Sequence, residues 1–247
     1  MLWGILPARV LVDPRKNRWA LGASDICFTN PYYPCTNSTY TRLYSLFFTL
    51  GQTLPVNRHS PFSPRGITQP SITHAISLLN PPYDSWVHIF PEGGIWQAPN
   101  LPMRFFKMGG ISRLILEPEI TPIVIPMFHS GMETVMRELR VPPQFLPSTG
   151  KDIRVRFGEA IPLNVLEPLR ERWRKCKEHP VKSEVRKLRL ETAEMAREAV
   201  NKVRESMGYP EEPEDSNDPK SFPQPDVPTR KDVKGWFKRM LDRVNRR

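Results

Sequence analysis

Apolar residues recur in short runs separated by turn-forming residues, and their spacing predicts strands alternating with helices. Leu2–Leu11 is apolar, Asp13-Pro14-Arg15-Lys16-Asn17 reads as a turn, and Trp19–Phe28 is a second apolar stretch. Asn30–Thr39 reads as a loop and Tyr40–Leu50 as a short helix of mixed polarity. Leu54-Pro55-Val56 predicts a short strand that delivers Asn57 and Arg58 at its end. A polar, proline-bearing loop runs from His59 to Pro70. Beyond it, Ile72, Ala75, Ile76 and Leu79 share one helical face at the i, i+3, i+4, i+7 spacing, and Pro81-Pro82 stops that helix. Trp86-Val87-His88-Ile89-Phe90 is β-prone and ends at Pro91-Glu92-Gly93-Gly94, a strand followed by a tight turn.

The second half continues the alternation. Met108–Leu116 reads as a helix, and Pro122-Ile123-Val124-Ile125-Pro126 as a buried strand bounded by prolines. Ile153-Arg154-Val155-Arg156-Phe157 alternates as a half-exposed strand does. From Val165 to Met207 the pattern is helical and highly charged, divided by Pro180. The expected architecture is a single α/β domain over residues 1–208, a central mixed sheet flanked by helices. Residues 209–230 are rich in Pro, Asp, Glu and Ser and read as a disordered linker. Residues 231–247 read as a basic amphipathic helix. There Val233, Trp236, Phe237, Met240, Leu241 and Val244 share a face opposite Lys231, Lys234, Lys238, Arg239, Arg243, Arg246 and Arg247.

Charge narrows the partners. With 36 basic and 26 acidic residues the chain carries a formal +10, which suits an anionic partner. No zinc-finger, helix-turn-helix or RNA-binding-sheet pattern accompanies that charge, so an anionic membrane surface is favoured over nucleic acid. Trp236, Phe237, Lys238 and Arg239 are the candidate membrane-surface residues; the plainer alternative is a terminal helix packed on the core or a solvated tail. No stretch reaches the roughly 18–20 apolar residues of a spanning helix, and the first seven residues resemble neither a secretory signal nor a transit peptide. The expected membrane contact is therefore peripheral. The three cysteines, Cys27, Cys35 and Cys176, have neither paired nor metal-ligand spacing, and no metal or cofactor is expected.

Three elements can carry chemistry together. An arginine, Arg58, ends a strand and suits bidentate phosphate recognition. Val87-His88-Ile89-Phe90-Pro91-Glu92-Gly93 exposes a carboxylate and an accessible backbone turn at a sheet edge. Ile123, Val124, Ile125 and Pro126 can wall an acyl-chain groove. In this order the elements resemble the later motif blocks of the glycerophospholipid acyltransferase superfamily. Ala23-Ser24-Asp25-Ile26-Cys27-Phe28-Thr29, the Trp86–Gly93 segment, Arg104–Leu114 and Pro126-Met127-Phe128-His129-Ser130-Gly131-Met132 are similar to segments of the tafazzin branch. The resemblance covers roughly residues 1–205. It implies a glycerolphosphate-acyltransferase-like domain that moves acyl groups between phospholipids and lysophospholipids, remodels cardiolipin at mitochondrial membranes and needs no metal. It also implies that Arg58, Pro91, Glu92 and Gly93 bind the acceptor's phosphate and glycerol, with Lys107 and Arg113 as further phosphate contacts. Surface charge or ordinary ion pairing is the competing reading of each charged residue.

The family's first block is Asn-His, four residues, then Asp, followed by Trp-Gly. Its histidine takes the proton from the acceptor hydroxyl and its aspartate orients the ring. Trp3-Gly4 matches the trailing pair, so the expected catalytic His and Asp fall upstream of Met1 and the chain as given is expected to be inactive. His59, His74, His88, His129 and His179 are not expected to replace that base. A coenzyme A-dependent lysophosphatidate acyltransferase and a non-catalytic membrane-surface phospholipid-binding protein are the alternatives.

Overall fold

The structure, a computed structural model, describes residues 7–11, 13, 15–28, 39–57, 68–95, 97–98, 100–136 and 148–212. Arg58 and the proposed terminal helix with Trp236, Phe237, Lys238 and Arg239 lie outside the described residues. The first apolar stretches give a one-turn helix α1 (Ala8–Leu11), a strand β1 (Trp19–Ala23) and a one-turn helix α2 (Ser24–Cys27). The expected turn between α1 and β1 closes through the Lys16 and Asn17 amides, which donate to the Asp13 carbonyl at 3.0 and 3.1 Å. Helix α3 (Thr39–Leu50) then leads into strand β2 (Thr53–Val56). β2 lies parallel to β1, with Ala20 opposite Thr53 and Ala23 opposite Val56. Pro55 fits there because, among the described residues, β2 is an edge strand, where a missing amide need remove no ladder bond.

Helix α4 (Pro70–Leu78) buries Ile72, Ala75 and Ile76 against Leu21 and Leu114, the face its periodicity predicts. Strand β3 (Val87–His88) runs parallel to β1 on the side away from β2, giving the order β2-β1-β3. Only two residues of the β-prone run 86–90 pair, because the chain leaves the sheet before Pro91. Helix α5 (Met108–Leu116) has the predicted limits and buries Ile111, Leu114, Ile115 and Leu116.

The stretch Pro122–Pro126 departs from expectation. Pairing starts just after it, in strand β4 (Met127–Ser130), which is followed by the one-turn helix α6 (Met132–Val135). β4 is antiparallel to strand β5 (Arg154–Phe157), so parallel and antiparallel pairings occupy separate sheets. Residues 122–126 are not the fully buried strand their composition suggests. The Val124 and Pro126 carbonyls accept from the Ile161 and Gly158 amides at 2.9 Å, while Ile123 and Ile125 are 78% and 55% exposed. Prolines at both ends cannot donate, so the segment bonds along one side and turns alternate side chains outward.

Helices α7 (Leu163–Glu178) and α8 (Lys182–Glu205) break at Pro180 as predicted. With α5 they enclose a core of Met103, Phe106, Ile111, Ile115, Ile161, Leu166, Ala193 and Ala196. Truncating a fully buried member such as Leu166 to alanine costs about 2–5 kcal/mol. Buried Arg170 donates to the Ile115 and Pro118 carbonyls at 2.6 Å and so satisfies the end of α5. Tyr209 and Glu212, in the first residues of the expected linker, pack against the domain. Tyr209 packs on Phe128 with ring centroids 5.5 Å apart, and the Glu212 side chain is only 6% exposed. Among the described residues, no helix is long and apolar enough to cross a membrane.

Candidate functional site

Parallel strands present their carboxyl ends along one edge, the usual place for a ligand in such sheets. The register sets Ala20 opposite both Thr53 and His88, so Ser24, Asn57 and the Pro91-Glu92-Gly93 turn all follow the carboxyl ends of the three strands. Asn57 follows β2 and Glu92 follows β3, the two outer strands of the sheet. The Ser24 hydroxyl donates to Asn57 Oδ1 at 2.6 Å. Gln69, the residue before α4, accepts from the Asn57 amide at 2.7 Å and donates to the Asn57 carbonyl at 3.1 Å. The end of β2 is thus pinned one residue before Arg58.

At the end of β3, the Gly93 amide donates to the Phe90 carbonyl at 3.1 Å and closes the turn around Pro91 and Glu92. Gly93 has φ +66°, and a methyl group added to it would stand 2.8 Å from Lys107 Cδ and 3.0 Å from Lys107 Nζ. The left-handed backbone favours glycine here, and a methyl group would also push the flexible Lys107 side chain aside. The Lys107 amide donates to the Pro91 carbonyl at 2.8 Å, which ties the two segments together. Glu92 is half-buried, and desolvation raises its carboxyl from 4.5 to about 7. The Arg104 amide hydrogen bond and the charges of Arg104 and Arg197 oppose that rise without cancelling it, and Glu212 adds to it. The turn therefore offers an ammonium lying across Gly93 and, one residue before it, a carboxyl that is part-protonated near neutral pH. Such a pair can accept a phosphate and hydrogen-bond a hydroxyl.

Not every expected residue comes to this place. Pro91, Glu92, Gly93 and Lys107 form one cluster. Arg113 does not join it: both carboxylate oxygens of Glu117 accept from Arg113 Nε at 2.9 Å, Arg113 Nη2 lies 2.8 Å from Glu117, and Arg189 lies 3.1 Å from the same carboxylate. Arg113 is buried inside α5 packing as one arm of this ion pair, so we do not assign it to the candidate site. His88 and His129 flank Phe90, with ring centroids 4.6 and 6.2 Å away, and bridge the two sheets. Burial lowers His88 from 6.5 to about 4 and also lowers His129.

No protein-family model matches the chain. It is 37% identical over 165 residues to the protein named taffazin of Dictyostelium discoideum, covering 65% of this chain and 50% of that protein. It is 30% identical over 205 residues to tafazzin of Drosophila melanogaster, covering 80% of this chain and 48% of the relative. The chain belongs to the tafazzin family. It spans about half the length of the curated relatives it matches. N-acylphosphatidylethanolamine synthase of Arabidopsis thaliana is 34% identical over 169 residues, covering 67% of this chain and 52% of that protein.

For this tafazzin-family chain the motif reading found the turn and missed what stands behind it. Arg104 is buried and supplies both an amide and a charge to Glu92. Arg197 and Arg204 of α8 are buried too, and both bond to backbone carbonyls of the segment that carries Arg104. One signal was available: Arg197 and Arg204 fall seven residues apart, in register with the inward Ala193 and Ala196. Arginines in an apolar stripe are poorly explained by solvation.

Proposed function

We propose that this chain carries the acceptor-binding part of a phospholipid acyltransferase, a transacylase of the cardiolipin-remodelling type. The observation that carries the reading is the Pro91-Glu92-Gly93 turn, with Lys107 lying across it at the carboxyl edge of a parallel sheet. In this reading the acceptor phosphate rests on Lys107, the 92–94 turn and Arg58. The Glu92 carboxyl hydrogen-bonds the glycerol hydroxyl, and Ile123 and Ile125 offer the acyl chain an apolar edge with Val124 and Pro126 behind them. The hydroxyl oxygen bonds to the donor's ester carbonyl carbon. The donor C–O bond then breaks, and the departing lysophospholipid oxygen takes the proton that the acceptor released.

That proton needs a carrier. Burial holds His88 at about 4, too weak a base for this task, and His129 is lowered as well. His74 and His179 are exposed, and His74 meets the edge of Trp19 at 5.9 Å. The base in this reading is the histidine of the family's Asn-His-x4-Asp block. Acyl transfer from labelled phosphatidylcholine to monolysocardiolipin, with and without an appended Asn-His-x4-Asp block, tests this. Transfer only with the block supports the reading, and equal transfer by the chain alone overturns it.

The net charge and the basic terminal pattern support peripheral association with mitochondrial membranes. Acyl transfer from acyl-coenzyme A instead of phospholipid would favour the coenzyme A-dependent alternative. The likeness to N-acylphosphatidylethanolamine synthase favours a second reading, acylation of a head-group amine. An amide product formed from phosphatidylethanolamine, in place of an ester, would select it.

A further inference from the structure

α8 ends at Glu205 and the chain reverses at Gly208, where φ is +88°. The next residues fold back over the helix. The Tyr209 ring meets Phe128 edge to face and its centroid lies 5.5 Å from the Arg204 guanidinium carbon, and the Pro210 carbonyl accepts from Arg204 Nη1 at 2.5 Å. Glu212 then inserts its carboxylate beneath the loop 100–107. One oxygen accepts from the Met103 amide at 2.8 Å and lies 3.2 Å from Arg204 Nη1, and the other lies 3.5 Å from Arg197 Nη2.

Both arginines grip that loop by its backbone. Arg197 donates to the Arg104 and Met103 carbonyls at 3.0 and 3.1 Å, and Arg204 donates to the Leu101 and Asn100 carbonyls at 3.0 Å each. Asn100 and Leu101 are consecutive left-handed residues, φ 61° and 45°, a shape that non-glycine residues keep only when their surroundings enforce it. The loop leads directly into Arg104, beside Glu92, and Lys107, across Gly93. A carboxylate between the two buried guanidinium groups offsets part of their charge, which helps them remain under the loop.

We propose that Glu212 is a positioning residue. Clamped between Arg197 and Arg204, it holds the 100–107 loop in the shape that sets Arg104 and Lys107 against the Pro91-Glu92-Gly93 turn. The 209–212 segment is then a latch on the site and not the start of a spacer. The proposal rests on reading that turn as the phosphate site, and its test separates the two.

The test compares the full chain with Glu212→Gln, which keeps the shape and removes the charge, well below the unfolding temperature. Hydrogen exchange is followed at 91–94 and 100–107, and dihexanoylphosphatidic acid binding by calorimetry. The expected result is exchange about tenfold faster in both segments, with β4 and β5 unchanged, and binding about tenfold weaker. If Glu212→Gln does not fold, Tyr209→Ala loosens the latch without leaving the arginines unpaired and carries the same expectations. Exchange altered only at 206–212, with wild-type affinity, overturns the proposal. Faster exchange at 91–94 in a chain whose wild type does not bind the lipid supports the latch and overturns the phosphate reading instead.

Discussion

Glu92→Gln preserves the side chain's shape and removes its ionisation, so its effect must depend on pH. In the folded chain burial raises the carboxyl from 4.5 to about 7. The unfolded chain releases that proton first, so the carboxyl's contribution to stability is complete below pH 4.5 and is lost as pH rises through 7. At about 1.4 kcal/mol for each pH unit between the two values, the wild type loses up to about 3 kcal/mol by pH 8. His88 acts in the opposite sense. Lowered from 6.5 to about 4, it contributes stability above 6.5 that is lost as pH falls through 4. Between about pH 4.5 and 6.5 the two slopes oppose each other in the wild type. The substitution removes one of them. Urea unfolding at half-unit steps from pH 4.5 to 8 should show the variant equal to the wild type at the acid end and about 3 kcal/mol more stable at the alkaline end. A stability difference that stays constant with pH would refute the argument that Glu92 is held part-protonated by its burial.

Lys107→Met should weaken dihexanoylphosphatidic acid binding about tenfold in calorimetry and leave Tm nearly unchanged, because the side chain is exposed. Gly93→Ala should cost about 1–2 kcal/mol in urea unfolding and weaken the same binding, since the methyl displaces Lys107 and strains the left-handed backbone. Arg113→Leu should cost about 3 kcal/mol, leaving Glu117 with Arg189 alone, while lipid affinity below the unfolding temperature stays at the wild-type value. Ile123→Ser combined with Ile125→Ser should leave Tm within a degree or two, because both side chains are exposed, and should reduce affinity for long-chain more than for short-chain acceptors.

Elements that depend on local periodicity were legible. Ile72, Ala75 and Ile76 declared α4, Met108–Leu116 matched α5 at both ends, and Pro180 separated α7 from α8. The Pro122–Pro126 run misled because apolar composition reports an affinity for burial and says nothing about which sides have a partner. With proline at each end, Ile123 and Ile125 were left facing outward. The turn at Glu92 was readable from its tight Pro-Glu-Gly composition. Its supports were not: Arg197 and Arg204 sit in a highly charged helix about a hundred positions from the loop they hold, and Glu212 lies in a stretch whose composition suggests disorder. Arg113 illustrates the converse. A basic residue beside a motif looks like a ligand contact until an acid one helical turn away, Glu117, is seen to hold it.

The central claim is that the Pro91-Glu92-Gly93 turn and Lys107 receive a phospholipid's phosphate together with Arg58. Amide chemical shifts of the full chain titrated with dihexanoylphosphatidic acid test this most directly. Saturable shifts at Glu92, Gly93, Gly94 and Lys107, weakened at least tenfold by Arg58→Ala, are the predicted result. Shifts confined to the charged faces of α7 and α8, and indifferent to Arg58→Ala, would contradict it.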